Sequence, residues 1–228
     1  MIKLERVGKA FDTLKVLSDI SFEVRPGEIV GIVGPSGSGK TTILKLITGI
    51  LRPDSGLVEV GAENVGYVFQ EPRLLPWRTS LDNIALVLRA RGHDKTSGRA
   101  AARDWMRRTG LEGFENFYPL QLSGGMMQRV SVCRAFAADP DILLMDEPFS
   151  NMDRELKGSL LASLEGIVRE RGTTVVYVTH ELPEALRLAD RILELEPGRG
   201  LRELDLSNRQ DLFADWVNQV LAGADPPA

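Results

Sequence analysis

The chain has 228 residues, of which 43% are hydrophobic and 26% are charged, and its net charge is −4. This composition is typical of a globular protein with a substantial core, and it argues against a general nucleic-acid binder. The single cysteine, Cys133, excludes an intramolecular disulfide, and no apolar run approaches the roughly 20 residues that a membrane-spanning helix needs.

The first part of the chain predicts strands around a glycine-rich loop. Alternating apolar and polar residues predict a strand at the N-terminus, in place of a signal peptide, and another over Ile20–Val24. The apolar run Glu28–Val33 predicts a buried parallel strand, and apolar residues at helical spacing predict a helix over 41–49. Two shorter strands are expected near Leu57–Val60 and Val65–Phe69.

The pattern changes between about residues 72 and 140. Helices are predicted over 80–91, over 97–109 and from Ser123 to about Ala138, without strong strand patterns between them. The sequence therefore predicts a helical insert.

Strands return in the last part of the chain. Buried strands are predicted at Ile142–Met145 and Thr174–Val178, and apolar residues between Leu156 and Val168 fall on one face of a helix. Alternating strands and helices predict a parallel sheet covered by helices. A last helix is predicted from Phe213 to Leu221, either packed on the body of the protein or exposed to a partner.

The loop between the first buried strand and the first helix carries a phosphate-binding pattern, G-x-x-x-x-G-K-[ST], at Gly34–Thr41. Glycines let the backbone wrap around an anion, and the helix start offers N–H groups and a positive dipole end. Lys40 is expected to reach the β- and γ-phosphates, and the Thr41 hydroxyl to bind Mg²⁺. The alternative is a glycine-rich turn with no ligand. The candidate ATP-binding residues of this loop are Gly34, Pro35, Ser36, Gly37, Ser38, Gly39, Lys40, Thr41 and Thr42.

Two carboxylates, Asp146 and Glu147, end the apolar strand Ile142–Met145. With a phosphate-binding loop about 100 residues upstream, they fit the acidic pair of a nucleoside triphosphatase. Asp146 is expected to hold Mg²⁺, and Glu147 to orient the attacking water. The alternative is an acidic pair that only caps the next turn.

A second candidate phosphate-binding segment is Leu122–Arg129, where Ser123 is a good N-cap and Gly124 and Gly125 allow close approach of an anion. A plain capped helix start is the alternative. A second such helix is hard to justify within one site, but it makes sense if it binds the γ-phosphate held by another copy of the chain.

With these three motifs, and with Leu122–Gly125 placed after the phosphate-binding loop and just before the acidic strand, the chain resembles the ATP-binding cassette (ABC) ATPases over about residues 1–220. The resemblance implies an α/β fold with a P-loop NTPase core, whose mostly parallel sheet has helices on both faces. It also implies an N-terminal antiparallel β subdomain and an inserted helical subdomain over about 72–140. These parts would form one domain, 1–221, followed by a flexible tail, 222–228.

The resemblance also implies roles for single residues. Phe11 would stack on adenine, with a plain core phenylalanine as the alternative. Gln70 would join Mg²⁺ and the water, Asp153 would connect the two sites of a dimer, and His180 would contact the γ-phosphate. The residues implied to act on the nucleotide of the second copy are Ser123, Gly124, Gly125 and Gln128. Met126 and the pair Asn151-Met152 depart from the usual family pattern. Neither departure removes a phosphate ligand or the catalytic carboxylate, so hydrolysis is still expected.

The partners follow from the same resemblance. The segment Leu74–Trp77 would receive a membrane permease, unless these residues are local core. The implied protein is a homodimeric or paired cassette at the cytoplasmic membrane face, with ATP and Mg²⁺ and no nucleic acid. The sequence Leu-Leu-Pro-Trp at positions 74–77 is similar to that of ATPases from importers of nitrate, sulfonate or taurine. Such importers also contain an extracytoplasmic solute-binding protein. An export or lipoprotein-release motor, a chromosome or translation ATPase, and a small-molecule kinase are the alternatives.

Overall fold

The computed structural model describes residues 1–150, 152, 154–196, 200–210 and 212–214. Within these residues the strands are β1 (Ile2–Phe11), β2 (Leu14–Val24), β3 (Ile29–Val33), β4 (Ser55–Val60), β5 (Val65–Val68), β6 (Ile142–Asp146), β7 (Thr174–Thr179), β8 (Arg191–Glu196) and β9 (Gly200–Glu203). The helices are α1 (Lys40–Ile47), α2 (Ser80–Ala90), α3 (Lys95–Arg108), α4 (Gly124–Ala137), α5 (Arg154–Arg171) and α6 (Leu182–Leu188), with a short 3-10 helix at Pro119–Gln121.

The chain forms two compact units, one made of residues 1–62 together with the residues from Thr174 onward, and one made of Glu63–Thr173. Three predictions fall outside the described residues. They are Asp153, the part of the last helix beyond residue 214, and the tail 222–228.

The first unit contains an antiparallel sheet and a mainly parallel sheet. In the antiparallel sheet β1 lies between β2 and β4. In the other, β3 pairs in parallel with β7 and β8, and β9 adds an antiparallel edge to β8. All five residues of β3 are buried, as expected for a central parallel strand.

The register of the parallel strands places two predicted motifs at one sheet edge. Val33, the last residue of β3, pairs with Thr179, the last residue of β7. The phosphate-binding loop and His180 therefore both leave from the carboxyl ends of adjacent strands, where ligands of open α/β sheets bind.

The second unit combines the parallel pair β5 and β6 with helices α2 to α5. Val68 of β5 is opposite Met145 of β6, so Gln70 and Glu147 follow these strands at the same end. Trp105 of α3 stacks on Phe136 of α4 with ring centroids 5.6 Å apart, and this contact packs the two helices together.

Most predicted elements are present with bounds shifted by at most three residues, but β2 begins at Leu14, six residues before the predicted Ile20. Helix α4 starts directly after Ser123, as predicted, because the Ser123 Oγ accepts a hydrogen bond from the Met126 N–H at 3.3 Å. Helix α6 and strands β8 and β9 were not predicted. None of the helices among the described residues is both long and apolar enough to cross a membrane.

Candidate active site

The phosphate-binding loop connects β3 to α1 and encloses the Lys40 side chain. Lys40 is 5% exposed, and its Nζ donates hydrogen bonds to the carbonyl oxygens of Gly34 at 2.5 Å and of Pro35 at 2.9 Å. The ammonium group is therefore held inside the loop by the loop's own backbone. In that position it can neutralise an anion that the loop surrounds.

The loop also has the shape and the polar groups that a phosphate requires. Gly37 and Gly39 have φ angles of 81° and 106°, which a residue with a Cβ rarely adopts. Gly39 has no side chain, so α1 begins without a side-chain cap at the end of the helix that favours an anion. The Ser38 Oγ is buried and has no hydrogen-bond partner, an orphaned polar atom that a phosphate oxygen would satisfy.

Two other predicted site residues belong to the first unit. Phe11 ends β1 and is 42% exposed, which argues against the alternative of a core phenylalanine. The Lys9 ammonium lies 5.7 Å from the centre of its ring. His180 follows β7 directly and is exposed, so its ring is accessible at the sheet edge that also carries the loop.

In the second unit, the two carboxylates have different surroundings. Asp146 ends β6 and is 5% exposed, and the Tyr67 hydroxyl donates to its Oδ2 at 3.3 Å. Burial, followed by the charge of Asp146, raises the pKa of Tyr67 well above its usual value, so Tyr67 remains a proton donor. Asp146 is therefore a buried, oriented carboxylate.

Glu147 is more accessible than Asp146 and is held in an unusual backbone conformation. Its φ is 43°, which is uncommon for a residue with a side chain and is often found at functional sites. The Gln70 Nε2 donates a hydrogen bond to the Glu147 Oε2 at 3.2 Å. The structure thus brings together two residues that are 77 positions apart and that the sequence assigned to the same water molecule.

The start of α4 presents Ser123 and Gly124 to solvent, whereas Gly125 is buried. Gln128 points into the unit instead. It is 4% exposed, its Nε2 donates to the Phe69 carbonyl oxygen at 3.1 Å, and its Oε1 is buried without a partner. Gln128 therefore links α4 to the residue before Gln70, and the exposed part of the motif is Ser123-Gly124.

The predicted docking segment is accessible mainly through Trp77, which is 70% exposed, while Leu74 and Leu75 are half-buried. Sequence reasoning missed a neighbouring group of exposed apolar residues just before Ser123. These are Phe117, Tyr118 and Leu120, which are 38%, 46% and 93% exposed. A hydrogen bond from the Ser80 N–H to the Phe117 carbonyl oxygen, 2.8 Å long, ties them to the start of α2. Their close spacing in the sequence was the available signal.

Comparison with known proteins identifies the family. Residues 17–150 match the sequence profile of a protein family described as ABC transporter. The chain belongs to the ABC transporter family. It is 40% identical to an uncharacterized ABC transporter ATP-binding protein of Methanocaldococcus jannaschii, over 96% of this chain and 90% of the relative. It is 37% identical to the Fe(3+) ions import ATP-binding protein FbpC of Rhizobium etli, over 96% of this chain but only 66% of that relative.

Solved structures agree with this assignment. The dimeric structure of a post-hydrolysis state of the ATP-binding cassette MJ0796, bound to ADP and Pi, superposes with a TM-score of 0.83 at 32% identity. The match covers 90% of this chain and 99% of that one. The predicted α/β fold class of an ABC cassette is therefore confirmed, as are ATP binding and the prediction of an ATPase.

The predicted importer type is supported only in its coarser form. Other ABC relatives are named for sulfate/thiosulfate, spermidine/putrescine and L-cystine, so the family includes import ATPases for solutes of very different charge. This chain spans 58% of the sulfate/thiosulfate relative from Rhizobium meliloti and 56% of the spermidine/putrescine relative from Fusobacterium nucleatum.

Proposed function

We propose that two copies of this chain bind two ATP molecules between them and that their closure and reopening drive a membrane importer. Each triphosphate would lie between the loop Gly34–Thr41 of one copy and Ser123–Gly125 of the other. The observation that carries the proposal is the start of α4, where an exposed serine and glycine open a helix whose N-terminus favours an anion. The solved dimeric structure of the similar ATP-binding cassette MJ0796 supports the proposal.

The residues of the loop would bind and orient the triphosphate. Lys40 supplies a positive charge to the β- and γ-phosphates, Ser38 supplies a hydroxyl, and Phe11 stacks on the adenine ring. His180 would hold the γ-phosphate from the end of β7. These contacts fix the terminal phosphate for in-line attack by water, which is the main task in phosphoryl transfer.

Glu147 would accept a hydrogen bond from the attacking water and orient it. Gln70 supports this role because its amide already holds the Glu147 carboxylate. Gln128 would keep the strand end that carries Gln70 connected to α4, so that changes at the nucleotide reach the Ser123 segment. We assign Asp153 the role of connecting the two sites of the dimer.

Mg²⁺ would be held by Thr41, Gln70 and Asp146 together with phosphate oxygens. When bound, Mg²⁺ neutralises part of the phosphate charge. The donor set fits this ion, because it offers one buried carboxylate, Asp146, and neutral oxygens from Thr41 and Gln70. Mg²⁺ binds through one or two carboxylates, waters and phosphates in preference to an all-protein cage.

We propose that the partner is a permease of the cytoplasmic membrane, docked near Leu74–Trp77 and on the neighbouring residues Phe117, Tyr118 and Leu120. Exposed aromatic and aliphatic side chains in one region are typical of a protein interface. The chain would then lie at the cytoplasmic face, and a solute-binding protein would deliver a small anion such as nitrate, a sulfonate or taurine. Reconstitution with the permease, followed by measurement of which solute stimulates ATP hydrolysis, tests this assignment. Stimulation of ATP hydrolysis by a solute added on the side of the membrane that carries the ATPase would support an exporter instead.

The catalytic assignment is tested with Glu147→Gln. This variant should bind ATP normally, form a stable dimer in ATP, and hydrolyse ATP at least about a hundredfold more slowly, because the amide cannot orient the water as the carboxylate does. Gel filtration with light scattering measures the dimer, and phosphate release measures turnover. Normal turnover would remove Glu147 from its role.

The contact between copies is tested with Ser123→Arg. Its bulky cation should abolish hydrolysis, while the affinity of the monomer for ATP stays nearly unchanged. A large loss of ATP affinity in the monomer would show that Ser123 belongs to the site of its own chain.

A further inference from the structure

The second unit contains a positively lined cavity that the ATPase site does not use. It lies between α2 and α3, has a volume of about 310 Å³, and is called the basic cavity here. Its charged residues are Arg78, Asp82, Arg89, Lys95 and Arg99. None of them belongs to the candidate ATPase site.

The charges of the basic cavity are not balanced from within. Arg99 forms an ion pair with Asp82. Arg78, Arg89 and Lys95 form no ion pair with any described residue. The Arg78 Nε is also buried without a hydrogen-bond partner. Cations gathered in one cavity repel one another, and a buried N–H without an acceptor is costly. Because the whole chain carries a charge of −4, this local positive excess is not a consequence of a basic composition.

The chemistry of the lining indicates what would bind. Arginine presents a planar set of donors that matches phosphate oxygens, and lysine adds a mobile positive charge. A single carboxylate carries one negative charge and would neutralise only one of these three cations. A phosphate has more acceptor oxygens and up to two negative charges, so it can pair with several of them at once. We propose that the basic cavity binds a phosphate-type anion, either a soluble phosphate compound or the headgroup of an acidic phospholipid.

The proposal is tested with the double variant Arg89→Gln/Lys95→Gln. Its matched control, Arg103→Gln/Arg107→Gln, removes two exposed charges from α3 outside the cavity. Calorimetry with inorganic phosphate and sedimentation with vesicles of phosphatidic acid in phosphatidylcholine measure binding. The loop Gly34–Thr41 also binds phosphate, but its contribution is the same in all three chains. Thermal unfolding checks that the variants are folded.

The cavity variant should lose about tenfold or more in affinity, and the control should match the parent chain. Loss with both probes supports a general phosphate site, and loss with vesicles alone supports a lipid headgroup. Equal binding by the cavity variant and the control with both probes would overturn the proposal. A glutamate-rich peptide is titrated by the same calorimetry. If its binding depends on the cavity while binding of phosphate and of vesicles does not, the proposal is also overturned, because the occupant would then be an acidic protein segment.

Discussion

Replacing Gly39 with alanine separates two reasons why the phosphate-binding loop needs glycine. At this position a Cβ would lie 2.8 Å from Val16 Cγ1 and 2.9 Å from Leu17 Cδ2, both too close for real contacts, and φ is 106°. Gly37 is the matched control, because its φ is 81° but a Cβ there would meet nothing within 4 Å. Gly37→Ala therefore adds backbone strain alone, whereas Gly39→Ala adds strain and a steric clash.

The magnitudes follow from these two contributions. An alanine in the left-handed backbone conformation destabilises the folded loop by about 1–2 kcal/mol. Alanine also has less conformational freedom than glycine in the unfolded chain, which offsets about 0.4–1 kcal/mol of this strain. Gly37→Ala should thus lower the free energy of unfolding by about 1 kcal/mol. Overpacking adds about 1–2 kcal/mol at Gly39, since the clashing atoms are the ends of side chains that can shift partly. Gly39→Ala should therefore cost about 2–3 kcal/mol.

Urea denaturation followed by far-ultraviolet circular dichroism measures both variants against the parent chain. Gly39→Ala should unfold at a clearly lower urea concentration than Gly37→Ala, and the dependence of the unfolding free energy on urea concentration should be unchanged. Equal destabilisation by Gly37→Ala and Gly39→Ala would refute the argument, because the close approach of Val16 and Leu17 to the loop would then have no energetic consequence.

Two further predictions concern Tyr67 and Cys133. Tyr67→Phe removes the hydroxyl that lies 3.3 Å from Asp146, a long hydrogen bond, so the Mg²⁺ concentration for half-maximal ATPase activity should rise only about threefold; an unchanged value would remove Tyr67 from the metal site. Burial raises the pKa of Cys133 from 9.0 to about 12. The unfolded thiol ionises first, so its contribution to stability should be lost as pH rises from about 9 to about 12. Rapid labelling of the native thiol by a maleimide at pH 8 would contradict its burial.

The parts of the site that sequence predicted well are those set by local physics. Ser123 caps α4 where expected because an N-cap needs only a hydroxyl and the N–H three residues later. Likewise, the buried strands β3 and β6 were found because fully apolar runs of that length have few other solutions.

The parts that sequence missed depend on pairing or on short elements. The contact of Tyr67 with Asp146 joins residues 79 positions apart and follows from the pairing of β5 with β6, which no local pattern contains. Helix α6 has only seven residues, too few for a helical period to emerge. Strand β8 does alternate partly, with Ile192 and Leu195 buried, and was within reach of the same reasoning.

The central claim, that each ATP is held by two copies of the chain, is tested most directly by mixing two inactive variants. Lys40→Ala disables the loop of its own chain, and Ser123→Arg disables the segment offered to a partner. In a mixed dimer, one site combines both defects and the other combines the intact loop with the intact Ser123 segment. An equal mixture should therefore recover up to about a quarter of the parent ATPase activity, since half of the dimers are mixed and each has one intact site. No recovery above the two variants alone, although mixed dimers form, would contradict the account.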